Sequence, residues 1–281
     1  MILKFWGVRG TFPVSDEDKV YFGGYTPCAS IISRKKEVII VDAGTGIRNL
    51  GQRLMENNRN EEMVIHLLLT HFHLDHILGF PYFGALYSRR TILNIYSPYG
   101  IKETQRFLEG MMRSRYFPLD FKDTPAEKNI KQIPSEGIEV GGIRITFCPL
   151  NHPQESFAYR LEEGGTKLVF ATDTEHPEKG IDRRLVNFST EADILIYDST
   201  FTPEEYEAGK KGWGHSTWAE GVKIGREAGV RALFLSHYNP EHSDEKVKEL
   251  ILKAKSHFPS THGARQGEEL RLMKKRRRKD V

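Results

Sequence analysis

The chain has 281 residues and a formal charge of +3, long enough for one large domain with a substantial core. Seven basic residues from Arg271 to Lys279, set against Asp280, contribute +6, so the preceding 270 residues sum to −3. A mildly acidic body excludes a glove that grips nucleic acid by charge alone, and two cysteines, Cys28 and Cys148, exclude a disulfide framework.

Taken in chain order, residues 2–6, 29–33 and 38–41 read as strands. Lys4 and Arg9 break the apolar start within a few residues, so no secretory signal is expected. Residues 46–57 read as a helix with Ile47, Leu50 and Leu54 on one stripe. Gly44 and Gly46 make no phosphate loop, because no Lys-Ser/Thr follows them. The apolar run 64–69 reads as a buried strand. Further strands are expected at 92–96, 143–147, 157–161, 167–170, 193–197 and 231–235, and helices near 203–208, 217–228 and 243–256. Residues 97–125 are less regular, and two readings stay open for them: a flap that brings Arg113 or Arg115 to a substrate phosphate, or a surface helix with solvated arginines. The pattern predicts an α/β fold of two packed sheets with helices outside. Residues 1–272 are expected to form the domain and 273–281 a basic tail, solvated or able to touch nucleic acid. No apolar run approaches the length of a membrane span, so a cytoplasmic enzyme without a membrane partner is expected.

Directly after the strand at 64–69 comes Thr70-His71-Phe72-His73-Leu74-Asp75-His76. Four strong metal-binding side chains crowd into six residues, and imidazoles with a carboxylate suit Zn²⁺, Fe or Mn²⁺. Asp42, in Val41-Asp42-Ala43-Gly44, is expected to orient this loop through hydrogen bonds.

His-x-His-x-Asp-His after an apolar strand resembles the signature of the metallo-β-lactamase superfamily, and the chain resembles that family along nearly its whole length. The resemblance implies a four-layer αβ/βα sandwich. It also implies further ligands at His152, Asp173 and His237, each following a strand. It assigns His71, His73 and His152 to one divalent metal and Asp75, His76 and His237 to a second, with Asp173 bridging. Such a pair, most readily zinc with Mn or Fe as alternatives, would share a hydroxide that attacks phosphorus in line. Asp75 would help to aim that hydroxide.

Asp198-Ser199-Thr200-Phe201 resembles the Glu-Ala-Thr-Phe motif of ribonuclease Z, with Asp in place of Glu, and Gly214-His215-Ser216-Thr217 resembles its His-Ser-Thr motif. The start, Phe5-Trp6-Gly7-Val8-Arg9-Gly10-Thr11, resembles the phosphodiesterase branch more widely. Ribonuclease Z carries a long arm where only twenty residues separate His152 from Asp173 here. Thr217-Trp218-Ala219-Glu220 has the form of a capping box, so a helix should start at Trp218, just after His215. Asp198 would fix the His215 ring and favour its cation, which could protonate a leaving alkoxide.

The expectation is therefore a dinuclear metal phosphodiesterase acting on a small cyclic or linear phosphodiester. A ribonuclease Z-like nuclease, a thioester hydrolase of the glyoxalase II type and a non-catalytic metal or redox module are the alternatives. Relatives admit a homodimer, although no residue points to one. His66 is expected in the core, and His176, His242, His257 and His262 at the surface.

Overall fold

The computed structural model describes residues 1–58 and 61–272; the expected tail at 273–281 lies outside them. In chain order the strands are β1 (Ile2–Gly7), β2 (Cys28–Ile32), β3 (Val38–Val41), β4 (Met63–Leu68), β5 (Thr91–Ser97), β6 (Glu127–Gln132), β7 (Ile138–Val140), β8 (Ile143–Pro149), β9 (Phe157–Glu163), β10 (Thr166–Ala171), β11 (Ile194–Asp198), β12 (Leu233–Ser236), β13 (Thr261–Gly263) and β14 (Glu269–Arg271). The helices are α1 (Ile47–Asn57), α2 (Leu74–Ile77), α3 (Ile101–Met111), α4 (Arg183–Phe188), α5 (Pro203–Glu207), α6 (Trp218–Glu227) and α7 (Asp244–His257).

Two seven-stranded sheets result, ordered β14-β1-β2-β3-β4-β5-β6 and β13-β12-β11-β10-β9-β8-β7. In each sheet an antiparallel half joins a parallel half: β3 to β6 run parallel in the first and β10 to β13 in the second. A row of side chains in register across the second sheet, Tyr159, Phe170, Ile196 and Phe234, faces inward. There Phe234 stacks on Phe5 of the first sheet at 5.9 Å, and the Tyr159 hydroxyl donates to the Leu69 carbonyl across the gap. Full burial of each such side chain contributes about 1.5–3 kcal/mol.

The outer faces carry the helices. Ile47 and Leu50 of α1 and Leu108 of α3 cover Ile65, Leu67, Leu93 and Ile95. Val222 and Ile224 of α6, with Val247 and Ile251 of α7, belong to the apolar body of the second sheet. This is the four-layer sandwich that the sequence led us to expect.

Ten of the strands and α1, α5, α6 and α7 fall where the sequence placed them, within about three residues at the ends. Those not foreseen are β6, β7, β13, β14, α2 and α4. β7, β13 and β14 have three residues each and cannot show a period, while β6, Glu-Lys-Asn-Ile-Lys-Gln, is an edge strand with no buried residue. For residues 97–125 the helix reading holds in part, since 101–111 form α3 with Thr104 and Leu108 buried. Among the described residues no helix is long and apolar enough to cross a membrane.

Candidate metal centre

The parallel halves of both sheets end at one edge. His71 and His73 lie on the loop leaving β4, and α2 presents Asp75 and His76 one turn later. His152 follows β8 and Asp173 follows β10. Asp198 is the last residue of β11, and His237 is the first after β12. The register pairs Ala171 with Tyr197 and Asp198 with Ser236, which aligns three strand ends side by side. Asp173 and His237 leave their strands in the left-handed region, at φ 59° and 60°, as does Asp42 at 61° after β3. Such backbone costs on the order of 1 kcal/mol per residue, and here it turns each functional side chain onto the edge.

The ligand atoms of His71, His73 and His152 lie within 4.8 Å of one another, and so do those of Asp75, His76, Asp173 and His237. His76 Nε2 is 3.1 Å from Asp173 Oδ2, His237 Nε2 is 3.2 Å from Asp173 Oδ1, and His71 Nε2 is 3.8 Å from Asp173 Oδ1. Among the described residues, neither oxygen of Asp173 receives a hydrogen bond of acceptable geometry, and His71 Nε2 and both ring nitrogens of His152 are buried without a partner. Orphaned buried polar atoms are rare in folded proteins. Cations at this edge would satisfy them together, so the donor set fits divalent metal ions.

Hydrogen bonds fix which nitrogen of His71, His76 and His237 faces inward. Asp42 accepts the backbone N–H of Thr70 at 2.8 Å and the Thr70 hydroxyl, and its Oδ2 lies 2.8 Å from His76 Nδ1. His71 Nδ1 meets the Thr70 hydroxyl at 3.1 Å. His237 Nδ1 meets the Thr200 hydroxyl at 2.9 Å. Asp75 accepts the backbone N–H of Thr11 at 2.7 Å and lies 3.1 Å from His237 Nε2. The Asp42 role was expected. Thr200 and Thr11 were not, because a hydroxyl or a backbone amide carries no spacing signal.

Electrostatics divide the rings. Burial holds the His71 pKa well below the ordinary imidazole range, with His76 adding to it. Burial also lowers His152, to about 4. Neutral rings of this kind are the ligating form. Burial acts against the His76 cation too, but Asp173, Asp75 and Asp42 outweigh it and raise its pKa. Three carboxylates around one ring call for positive charge at this point.

Asp198 is occupied differently. Its Oδ1 accepts the N–H groups of Thr200 and Ser216, and its Oδ2 accepts the Asp173 N–H and lies 3.0 Å from His215 Nδ1. Both of its oxygens are thus engaged, and one of its ligand atoms also lies within 4.8 Å of those of Asp173, His215 and His237. Burial opposes protonation of His215, but the charge and hydrogen bond of Asp198 prevail and push its pKa up to about 9. Thr217 caps α6 by accepting the Glu220 N–H. The reciprocal half of the expected capping box is replaced by a Glu220–Lys223 ion pair.

One further carboxylate escaped the sequence. Glu175 accepts from Gly212 N, Gly214 N and the Tyr206 hydroxyl at 2.7–2.9 Å, pinning the loop that delivers His215. Gly214 sits at φ 82°, and a Cβ there would stand 2.6 Å from the His152 ring, so only glycine fits. A cleft of about 510 Å³ opens over Asp75, Asp173 and His215. Arg113 and Arg115 do not line it: both line a separate hollow at the end of α3, and Arg113 also lines an adjoining one bounded by Phe72 and Leu74. His66 is buried against Tyr96 as expected, and His257 and His262 are exposed. His242 is instead buried, with Nε2 2.8 Å from Glu205, and His176 is half-buried against Ser216. Cys28 and Cys148 are buried and free.

Residues 37–238 match the family described as the Beta-lactamase superfamily domain. The ribonuclease Z of Lacticaseibacillus casei is 25% identical, over 86% of this chain and 88% of its own. The metallo-beta-lactamase fold protein YhfI from Bacillus subtilis superposes with a TM-score of 0.71 at 19% identity, covering 96% of this chain and 98% of that one. A diphosphatase from the PhnP family superposes at 0.70 and 17% identity, covering 97% and 98%.

Proposed function

The chain belongs to the beta-lactamase superfamily and is a metal-dependent hydrolase, and from that premise we propose that it cleaves small cyclic or linear phosphodiesters with two divalent metals. In this reading His71, His73 and His152 hold one metal, Asp75, His76 and His237 the other, and Asp173 both. Asp173 carries the proposal: it is a buried carboxylate with two unsatisfied oxygens between the two groups of rings. Zinc suits a set this rich in imidazole, and Mn or Fe would also be accepted.

When bound, the metals supply a water acidified toward neutral pH and draw charge from the phosphoryl oxygens. The chain does the rest. Asp75 lines the cleft and aims the attacking water. His215 also lines it, with Nδ1 held by Asp198, so Nε2 is the nitrogen that can give a proton to the departing oxygen. The cleft volume lies in the range of small-ligand pockets. The twenty residues between His152 and Asp173 are taken up by the β9–β10 hairpin, with no arm, which supports a small substrate. The ribonuclease Z relatives favour a second reading, an RNA substrate, and steeply salt-dependent RNA cleavage would mark it.

The test is hydrolysis of bis(p-nitrophenyl) phosphate by metal-loaded protein beside His215→Ala and Asp173→Ala. Asp173→Ala should lose metal and activity together. His215→Ala should keep its metal and lose about 10²–10⁴ in kcat. Metal loss in His215→Ala would make that ring a ligand, and full activity would remove it from the mechanism.

A further inference from the structure

Two residues before His215, on the loop that Glu175 pins, stands Trp213. It lines the cleft beside His215 and Asp75, yet it remains 56% exposed. The backbone N–H groups of its two neighbours, Gly212 and Gly214, are the ones that Glu175 accepts, so this exposed indole sits on a fixed segment of chain. The Lys210 ammonium lies 3.9 Å from the Trp213 ring centre, and Phe201 meets the indole edge-on at 6.3 Å. Lys210 and Phe201 line the same cleft. Lys210 thus stands over the indole, and more than half of Trp213 stays exposed.

An exposed tryptophan is unfavourable in water unless something covers it, and fixing it beforehand removes the entropy cost of ordering it on binding. Every nucleobase presents a π-face that can stack on an indole, whatever the base. Among the described residues, the charged side chains lining the cleft besides the proposed ligands and His215 are Lys210 and Glu241. One cation offset by one carboxylate leaves the cleft without the run of cations that grips a long polyanion.

We infer that Trp213 is a specificity platform on which the base of a nucleoside phosphodiester stacks, with Lys210 beside its phosphate. The substrate class is then a mononucleotide or dinucleotide diester rather than a sugar phosphodiester without a base. The inference rests on the phosphodiesterase reading, so the experiment separates the two.

Two phosphodiesters with one leaving group are compared: thymidine 5′-p-nitrophenyl phosphate and methyl p-nitrophenyl phosphate. The metal-loaded wild type should favour the nucleoside substrate in kcat/KM. Trp213→Ala should raise KM for that substrate about 10-fold or more and leave the methyl substrate within about twofold. Trp213→Phe, which keeps an aromatic face, should fall between, and Lys210→Met should weaken both substrates. Equal use of the two by the wild type, or an equal loss on both in Trp213→Ala, overturns the platform while the phosphodiesterase stands. Hydrolysis of neither removes the phosphodiesterase, and the platform is then judged by tryptophan fluorescence. AMP should quench the emission that Trp213→Ala lacks, and ribose 5-phosphate should not. Identical responses to the two overturn the platform.

Discussion

Asp42 occupies no proposed ligand position, yet it sets two of them. One carboxylate holds His76 directly and His71 through the Thr70 hydroxyl. Removing its charge while keeping its shape leaves both rings free to turn. Asp42→Asn should therefore weaken metal affinity about 10–100-fold, the usual cost of losing such a support, as read by competition with a chromophoric chelator. Unchanged affinity would mean that the fold alone orients the rings. At this scale the seven proposed ligands were legible because imidazoles and carboxylates clustered after apolar strands are uncommon in sequence. Glu175 and Trp213 were not, because their roles depend on a loop folding back across forty residues. His242 was misread as a surface group because its partner Glu205 lies 37 residues away, on another element.

The helix α6 links local chemistry to the site. Thr217 caps it, and the residues immediately before are His215 and Ser216, the latter bonded to Asp198. A cap of this kind contributes about 0.5–2 kcal/mol, so Thr217→Ala should lower stability by that amount in urea denaturation. Activity should fall as well, since the cap holds the end of the loop that delivers His215. A stability loss with no change in kcat would place the loop's anchor wholly at Glu175. Long apolar strands and amphipathic helices were legible at this scale because burial on one or both faces forces a period. The edge strands were not. β6 makes backbone hydrogen bonds to β5 while its side chains stay at least partly in solvent, and no hydrophobic pattern is required of it. The helix α3 was obscured because it buries only two residues, Thr104 and Leu108.

Across the whole molecule, the first sheet contributes His71, His73, Asp75 and His76, and the second contributes His152, Asp173 and His237. Metals held by both sets would tie the two halves of the sandwich together at one edge. Ions that bind the folded chain and not the unfolded one add about 3–4 kcal/mol at 100–1,000 times Kd, so chelation should lower Tm as well as abolish activity. The measurement that tests the central claim most directly is a metal titration of chelator-stripped protein. It follows zinc bound per chain, Tm and bis(p-nitrophenyl) phosphate hydrolysis together. The account predicts that activity and Tm rise in step and level off at about two equivalents, with Asp173→Ala failing to recover either. Full activity in the stripped protein, or two metals bound with no phosphodiester cleaved, would contradict it.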